Sequence, residues 1–163
     1  MTGYNEKREF FWGCEDLAVP DLGVYLVTGQ ELSAGRSTLE VVTKAVDGGV
    51  NAVQLREKGM STRDLVALGK EVRRITKKYG VILIINDRVD VAMAVEADGV
   101  HLGQDDFPIE DARRLLGEDA IIGLSVDTAE EAVAAEKLGA DYVGLGPIFK
   151  TSTKVDTGPV VGP

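Results

Sequence analysis

From Gly23 to Pro147 the chain alternates, without interruption, between short apolar runs and longer amphipathic segments, and no other feature restricts its fold so tightly. The runs "GVYLVT" (23–28), "VNAVQLR" (50–56), "VILIIND" (81–87), "GVHLG" (99–103), "AIIGLS" (120–125) and "DYVGLGP" (141–147) read as strands. Between them lie five segments with helix grammar, at 37–49, 61–80, 88–99, 108–117 and 128–139. Ser37 with Glu40 forms a capping box, and Ser61 caps a helix whose stripe is Leu65, Leu68, Val72 and Ile75 and whose stop is Gly80. Pro108 suits a first helical turn.

Strict alternation implies parallel strands joined by right-handed helical crossovers, an α/β fold. "VILIIND" is apolar throughout, as a strand covered on both faces must be. A weak echo in "VDGGVNAVQLR", "VEADGVHLG" and "KLGADYVGLG" suggests repeated units. Two architectures fit: a doubly wound open sheet and an eight-unit barrel. The first βα turn, "TGQELSAGRS", lacks the G-x-G-x-x-G fingerprint of a dinucleotide site.

At 163 residues the chain has the size of one domain. Lys and Arg total 18 against 27 Asp and Glu, a net charge of −9, which argues against a nucleic-acid partner. The lone Cys14 fits a reducing cytoplasm, and no uncharged run is long enough for a membrane span. Residues 1–22, charged where a leader would be apolar, read as an N-terminal extension, with Phe10, Phe11 and Trp12 packing on the domain or on a partner. Residues 23–163 form the domain.

Polar residues collect just past each strand: Thr28; Gln54, Arg56 and Lys58; Asn86 and Asp87; Gln104, Asp105 and Asp106; Ser125 and Asp127; Thr151, Ser152, Thr153 and Lys154. In a parallel α/β fold these positions form one rim, where ligands bind. Gln54, Arg56 and Lys58 follow at every second position and so share a strand face. Cations, carboxylates, amides and hydroxyls together suit a phosphorylated small substrate with a divalent metal. Asp106 reads equally as helix cap or ligand, Asp127 mostly as a cap, and His101 as a satisfied core histidine. Arg56 and Lys58 have the alternative of surface ion pairs with Glu57 or Asp64.

The motifs "YLVT" (25–28), "VQLREKG" (53–59), "IINDRVDVA" (84–92), "ADGVHLGQDD" (97–106), "IIGLSV" (121–126) and "GADYVGLGPIFKTSTK" (139–154) together resemble those of thiamine-phosphate synthases. The resemblance implies a parallel (β/α)8 TIM barrel, of which this chain supplies strands one to six and ends in the loop after strand six, about six of eight units. Family members continue with a sixth helix and two further βα units that carry a Gly-rich phosphate loop. A second copy of this chain is one expectation for what completes the sheet.

The resemblance also implies a transferase that condenses hydroxymethylpyrimidine diphosphate with hydroxyethylthiazole phosphate, releasing diphosphate. Mg²⁺ would assist departure of the diphosphate and the thiazole nitrogen would capture the pyrimidine carbocation. By motif, Arg56 and Lys58 grip the diphosphate with Gln54 and Asn86 nearby, Asp87 and Asp106 hold Mg²⁺, and Ser125 sits against the pyrimidine. Thr151 and Thr153 contact the thiazole phosphate and Lys154 the departing diphosphate, so that Lys154, Ser125 and Arg56 carry the catalysis. Two other readings stay open. A related thiazole tautomerase, an isomerase, is similar but has a histidine after "SV", where this chain has Asp127. A non-catalytic barrel remnant would serve as a binding module.

Overall fold

The computed structural model describes residues 22–150 and 160–162. The expected extension at 1–22 therefore lies, Leu22 apart, outside the described residues. Every expected strand and helix is present and in order: β1 (Tyr25–Val27), α1 (Thr38–Asp47), β2 (Ala52–Leu55), α2 (Thr62–Tyr79), β3 (Ile82–Asn86), α3 (Val89–Val95), β4 (Gly99–Leu102), α4 (Ile109–Leu116), β5 (Ile121–Val126), α5 (Ala129–Lys137) and β6 (Tyr142–Leu145).

Local signals set the boundaries. Ser37 takes the backbone N–H of Glu40 while the Glu40 carboxylate takes the backbone N–H of Ser37, a reciprocal box that satisfies two orphan donors of α1. On α2 the Ser61 hydroxyl oxygen accepts the backbone N–H of Asp64, and the helix stops where Gly80 turns left-handed at φ 68.

All strand pairs are parallel, and their order along the sheet is β1-β2-β3-β4-β5-β6. A doubly wound sheet reverses its strand order at a switch point, and this one never does. The winding is thus that of a barrel, of which the six described strands form a curled part. Tyr25 on β1 and Tyr142 on β6 are 117 residues apart in sequence, yet their hydroxyls stand 2.8 Å from each other. The sheet curls until its first and last strands face one another across the interior.

The two faces of the sheet have different jobs. Val53, Leu55, Leu83, Ile85, Val100, Leu102, Ile122, Leu124 and Val126 pack outward on Val42, Val46, Leu65, Val72, Val95, Ile109 and Ala112 of the helices. Each such Val, Leu or Ile contributes about 1.5–3 kcal/mol on full burial. The alternating positions Gln54, Asn86, His101 and Ser125 fall on the concave face.

The echo in the sequence has a structural cause. Asn51, Asp98 and Asp141 each stand just before a strand, and each accepts a backbone N–H from the neighbouring segment: Val24, Leu83 and Ile122, at 2.7–2.8 Å. Asp98 also accepts from both terminal guanidinium nitrogens of Arg73 on α2, and Asp141 from one of Arg113 on α4. The repeated motif ties each strand's start to its predecessor, at the end of the sheet opposite the rim.

Candidate functional site

The C-terminal ends of β2 to β5 open into a cavity of about 380 Å³. Arg56 and Lys58 line it, with Asn86, Gln104, His101 and Ser125, and four carboxylates: Asp87, Asp105, Asp106 and Asp127. Four acids against two cations leave a formal excess of two negative charges among these lining groups. An anionic ligand would meet repulsion there unless a cation came with it.

Arg56 and Lys58 sit in the loop after β2, held from behind by Glu57. Its carboxylate accepts the hydroxyls of Thr28 (2.9 Å) and Thr38 (2.7 Å) and the backbone N–H of Gln30 (2.9 Å). Thr28 in turn accepts the backbone N–H of Arg56 at 3.0 Å. Glu57 thus faces away from the cavity, while Asp64 accepts the Ser61 hydroxyl at the start of α2. The two acids of the ion-pair alternative, Glu57 and Asp64, are engaged with hydroxyls and backbone. Thr28, expected on the rim, is a buried part of the brace.

Asp87, the residue just past β3, has a left-handed conformation, φ 60, which a non-glycine residue adopts rarely, and it lines the cavity. Burial pushes that carboxyl up, to about 6, reinforced by the hydrogen bond and the charge of Asp106; Lys58 and Arg56 pull the other way. Asp106 accepts the backbone N–H of Gly103 at 2.8 Å. It does not cap α4, whose cap position is Pro108 and carries no side-chain bond. Nor does Asp127 cap α5: Thr128 does so by accepting the Glu131 N–H, and Asp127 lines the cavity. Acids that resemble caps in sequence stand one or two residues too early to reach the helix.

Two facing carboxylates, of which Asp106 raises the proton affinity of Asp87, make a place for a cation. Among the described residues no three His, Cys, Asp or Glu side chains gather as a closed metal site would need. The arrangement suits Mg²⁺, which takes one or two carboxylates and completes its shell with water and phosphate oxygens.

The structure brings together Arg56, Lys58, Asn86, Asp87, Asp106 and Ser125. It does not bring Gln54 to the cavity. Gln54 is 4% exposed, and its amide donates to the Tyr25 hydroxyl at 3.0 Å. The shared strand face is real, but β2 ends at Leu55, so only the two loop residues reach the rim while Gln54 stays at its floor. Thr151, Thr153 and Lys154 lie outside the described residues. His101, expected as a satisfied core histidine, is half-buried and hydrogen-bonded at both ring nitrogens, and it also reaches the cavity wall. It lines the cavity, with Nε2 3.0 Å from Ser125 Oγ and Nδ1 3.0 Å from the Tyr142 hydroxyl. Its parity gives it away, since His101 pairs in register with Asn86 and shares the concave face.

A family model described as thiamine monophosphate synthase matches residues 24–163. The chain is 57% identical over 143 residues to the thiamine-phosphate synthase of Methanosarcina barkeri, covering 88% of this chain and 64% of that one. It is likewise 57% identical over 139 residues to that of Natronomonas pharaonis, covering 85% and 64%. Among solved structures, the thiamine phosphate pyrophosphorylase of Pyrococcus furiosus superposes with a TM-score of 0.74 at 43% identity, covering 85% of this chain and 64% of that one. The chain thus spans just under two thirds of the length of these relatives. With a polar rim built on sequentially wound strands, and with this likeness running through all six of them, the chain belongs to the thiamine monophosphate synthase family.

Proposed function

We propose that this chain carries the pyrimidine-diphosphate and Mg²⁺ half of a thiamine-phosphate synthase active site, within a (β/α)8 barrel to which it contributes the first six strands. The reaction joins hydroxymethylpyrimidine diphosphate to hydroxyethylthiazole phosphate and releases diphosphate. One observation carries this reading: Arg56 and Lys58 face the Asp87–Asp106 pair across one cavity at the strand ends.

The division of labour follows from charge. Arg56 offers a fork of donors and Lys58 a point charge, both suited to phosphate oxygens. Asn86, with its amide at the same rim, adds a neutral donor. Asp87 and Asp106 are the carboxylates that would hold Mg²⁺, which supplies charge stabilisation for the departing diphosphate when bound. Two cations and the metal's two charges then balance four acids and leave a centre that accepts a diphosphate. Ser125, on β5, faces the organic part of the substrate. Thr151 and Thr153 are assigned to the thiazole phosphate, and Lys154 to the leaving diphosphate, by family motif.

No nucleophilic side chain is required, because the fold's contribution is electrostatic and positional. The cytoplasm suits such a reaction, and no helix among the described residues is long and apolar enough to cross a membrane. Closure of the sheet by further βα units, or by a second copy, belongs to the same proposal.

The test measures binding first and turnover second. Calorimetry should show hydroxymethylpyrimidine diphosphate binding that requires Mg²⁺ and is lost in Arg56→Ala and Asp106→Ala. Supplying both substrates should give thiamine phosphate from the barrel-length protein. Binding that ignores Mg²⁺, or survives both substitutions, would overturn the assignment.

A further inference from the structure

A second cavity, of about 350 Å³, lies against the β2–α2 loop that carries Arg56 and Lys58. Four residues, Arg56, Lys58, Asn86 and Asp87, line both cavities and form a common wall. The rest of the second lining is its own, and Leu55, Met60, Leu65 and Arg88 give it its character. Leu55 and Leu65 are buried and Met60 is half-buried, so one part of the lining is apolar. Met60 is unbranched, and its three rotatable bonds let it mould to an irregular apolar group. A volume of this size suits a small organic molecule.

Charge separates the two cavities. The first sets four carboxylates against Arg56 and Lys58, and so calls for a cation before it takes an anion. In the second, Arg88 joins the two shared cations, and the carboxylates of the lining are Glu57 and Asp87. Glu57 is already held by donors of Thr28, Gln30 and Thr38. Arg88 is paired with Asp90 through Nε and Nη2, at 2.8 and 2.6 Å, and Nη2 also donates to Thr62 Oγ1 at 3.0 Å. Its Nη1 has no partner among the described residues. Three cations therefore meet two carboxylates, Asp87 and Asp90, that are not tied to the β1–α1 segment. The balance is positive with no metal added.

We propose that this cavity is a metal-independent site for a small organic monophosphate, an ester of an aryl or short alkyl group, whose occupation inhibits diphosphate binding next door. The phosphate takes Arg88 with the shared cations, and the apolar group lies on Met60 and the two leucines. Arg56 and Lys58 cannot serve anions in both cavities at once, and two anions across one wall repel. The site stands on the cavity and its charges. The inhibition rests on the function proposed above.

Phenyl phosphate tests the site, and the Met60 methyl, followed by ¹³C NMR and assigned through Met60→Leu, reports on it. With no divalent cation present, phenyl phosphate should shift Met60 and leave Met93, exposed on α3, where it was. Asp106 lines the first cavity alone, so Asp106→Ala should bind phenyl phosphate no more weakly than wild type. Arg88→Gln should weaken it about tenfold, the worth of one hydrogen bond to a charged group. Inorganic phosphate, which has no ring, should bind more weakly than phenyl phosphate. An unmoved Met60, equal affinity for the two phosphates, a need for Mg²⁺ or loss of binding in Asp106→Ala would each overturn the proposal.

Met60→Glu places a carboxylate on the apolar wall. It should abolish phenyl phosphate binding while Mg²⁺-dependent binding of hydroxymethylpyrimidine diphosphate persists. Should that variant fail to fold, Arg88→Gln, at a part-exposed side chain, makes the same separation. In wild type, saturating phenyl phosphate should weaken hydroxymethylpyrimidine diphosphate by about tenfold in calorimetry. An affinity that does not move would overturn the inhibition. If hydroxymethylpyrimidine diphosphate never binds but phenyl phosphate shifts Met60, the proposed function fails and the second site stands.

Discussion

Replacing Asp87 with asparagine should make the metal-free chain more stable while destroying its cation site. The Asp87 carboxyl is pushed from an ordinary 3.8 to about 6, first by burial and then by Asp106. The folded chain therefore binds a proton there more tightly than the unfolded chain does. A raised value contributes stability that is whole below about 3.8 and is lost as pH rises through about 6. Above that window the ionised carboxylate opposes folding by its full amount. Two pH units correspond to about 3 kcal/mol, and because Asp87 is only half-buried, solvent screening reduces this to about 1–2 kcal/mol.

Asparagine keeps the shape, cannot ionise, and tolerates the left-handed backbone at this position. Urea unfolding followed by far-UV circular dichroism, without divalent cations, should give Asp87→Asn about 1–2 kcal/mol over wild type at about pH 7.5 and nothing at about pH 3.5. Adding Mg²⁺ with inorganic diphosphate should reverse the order, since only wild type gains the free energy of binding. A variant less stable than wild type at the higher pH, or a gain equal at both, would refute the reasoning.

Three further substitutions probe the scaffold. Glu57→Gln weakens the brace on Thr28, Gln30 and Thr38, and should cost about 1–3 kcal/mol in thermal unfolding and loosen diphosphate binding measured by calorimetry. Gly123→Ala forces a methyl into the Tyr142 ring; it should cost about 1–3 kcal/mol and shift the His101 ¹⁵N resonances, and an unshifted spectrum would contradict the packing. Asp98→Asn breaks a part-exposed bidentate pair with Arg73 at the far end of the sheet, so stability should fall by about 1–2 kcal/mol while ligand affinity stays within twofold.

The winding of this chain was legible because each element advertises itself locally. Ser37, Ser61 and Gly80 mark helix ends through groups within a few residues, and the apolar alternation of β2 to β5 marks one face of a sheet. The choice between barrel and open sheet was not legible from those residues, because it depends on which strand lies beside which. The site divided in the same way. Arg56, Lys58, Asp87 and Asp106 stand past strand ends, where any parallel fold collects ligands, so their place could be read directly. Asp106 and Asp127 looked like caps because a cap and a ligand differ by one or two residues of reach. The depth of Gln54 was not legible, because strand parity gives the face a side chain points to but not how far below the rim it lies.

Depth is what separates the two halves of the concave face. Near the rim, polar side chains line the open cavity. A few ångströms lower, Gln54, Tyr25 and Tyr142 are shielded, and a buried donor without a partner costs about 1–3 kcal/mol. Burying three such groups is tolerable only if each finds the next, so the polar floor must be continuous wherever it exists. The continuity demands partners from strands far apart in sequence: Tyr25 and Tyr142 come from the first and last described strands. A sheet that curled less would break the bond between the two hydroxyls, leaving Tyr25 only Gln54 and Tyr142 only His101. The Tyr25–Tyr142 bond thus supports the curl that brings the first and last described strands together. Ser125, which lines the cavity, is joined to that floor through His101.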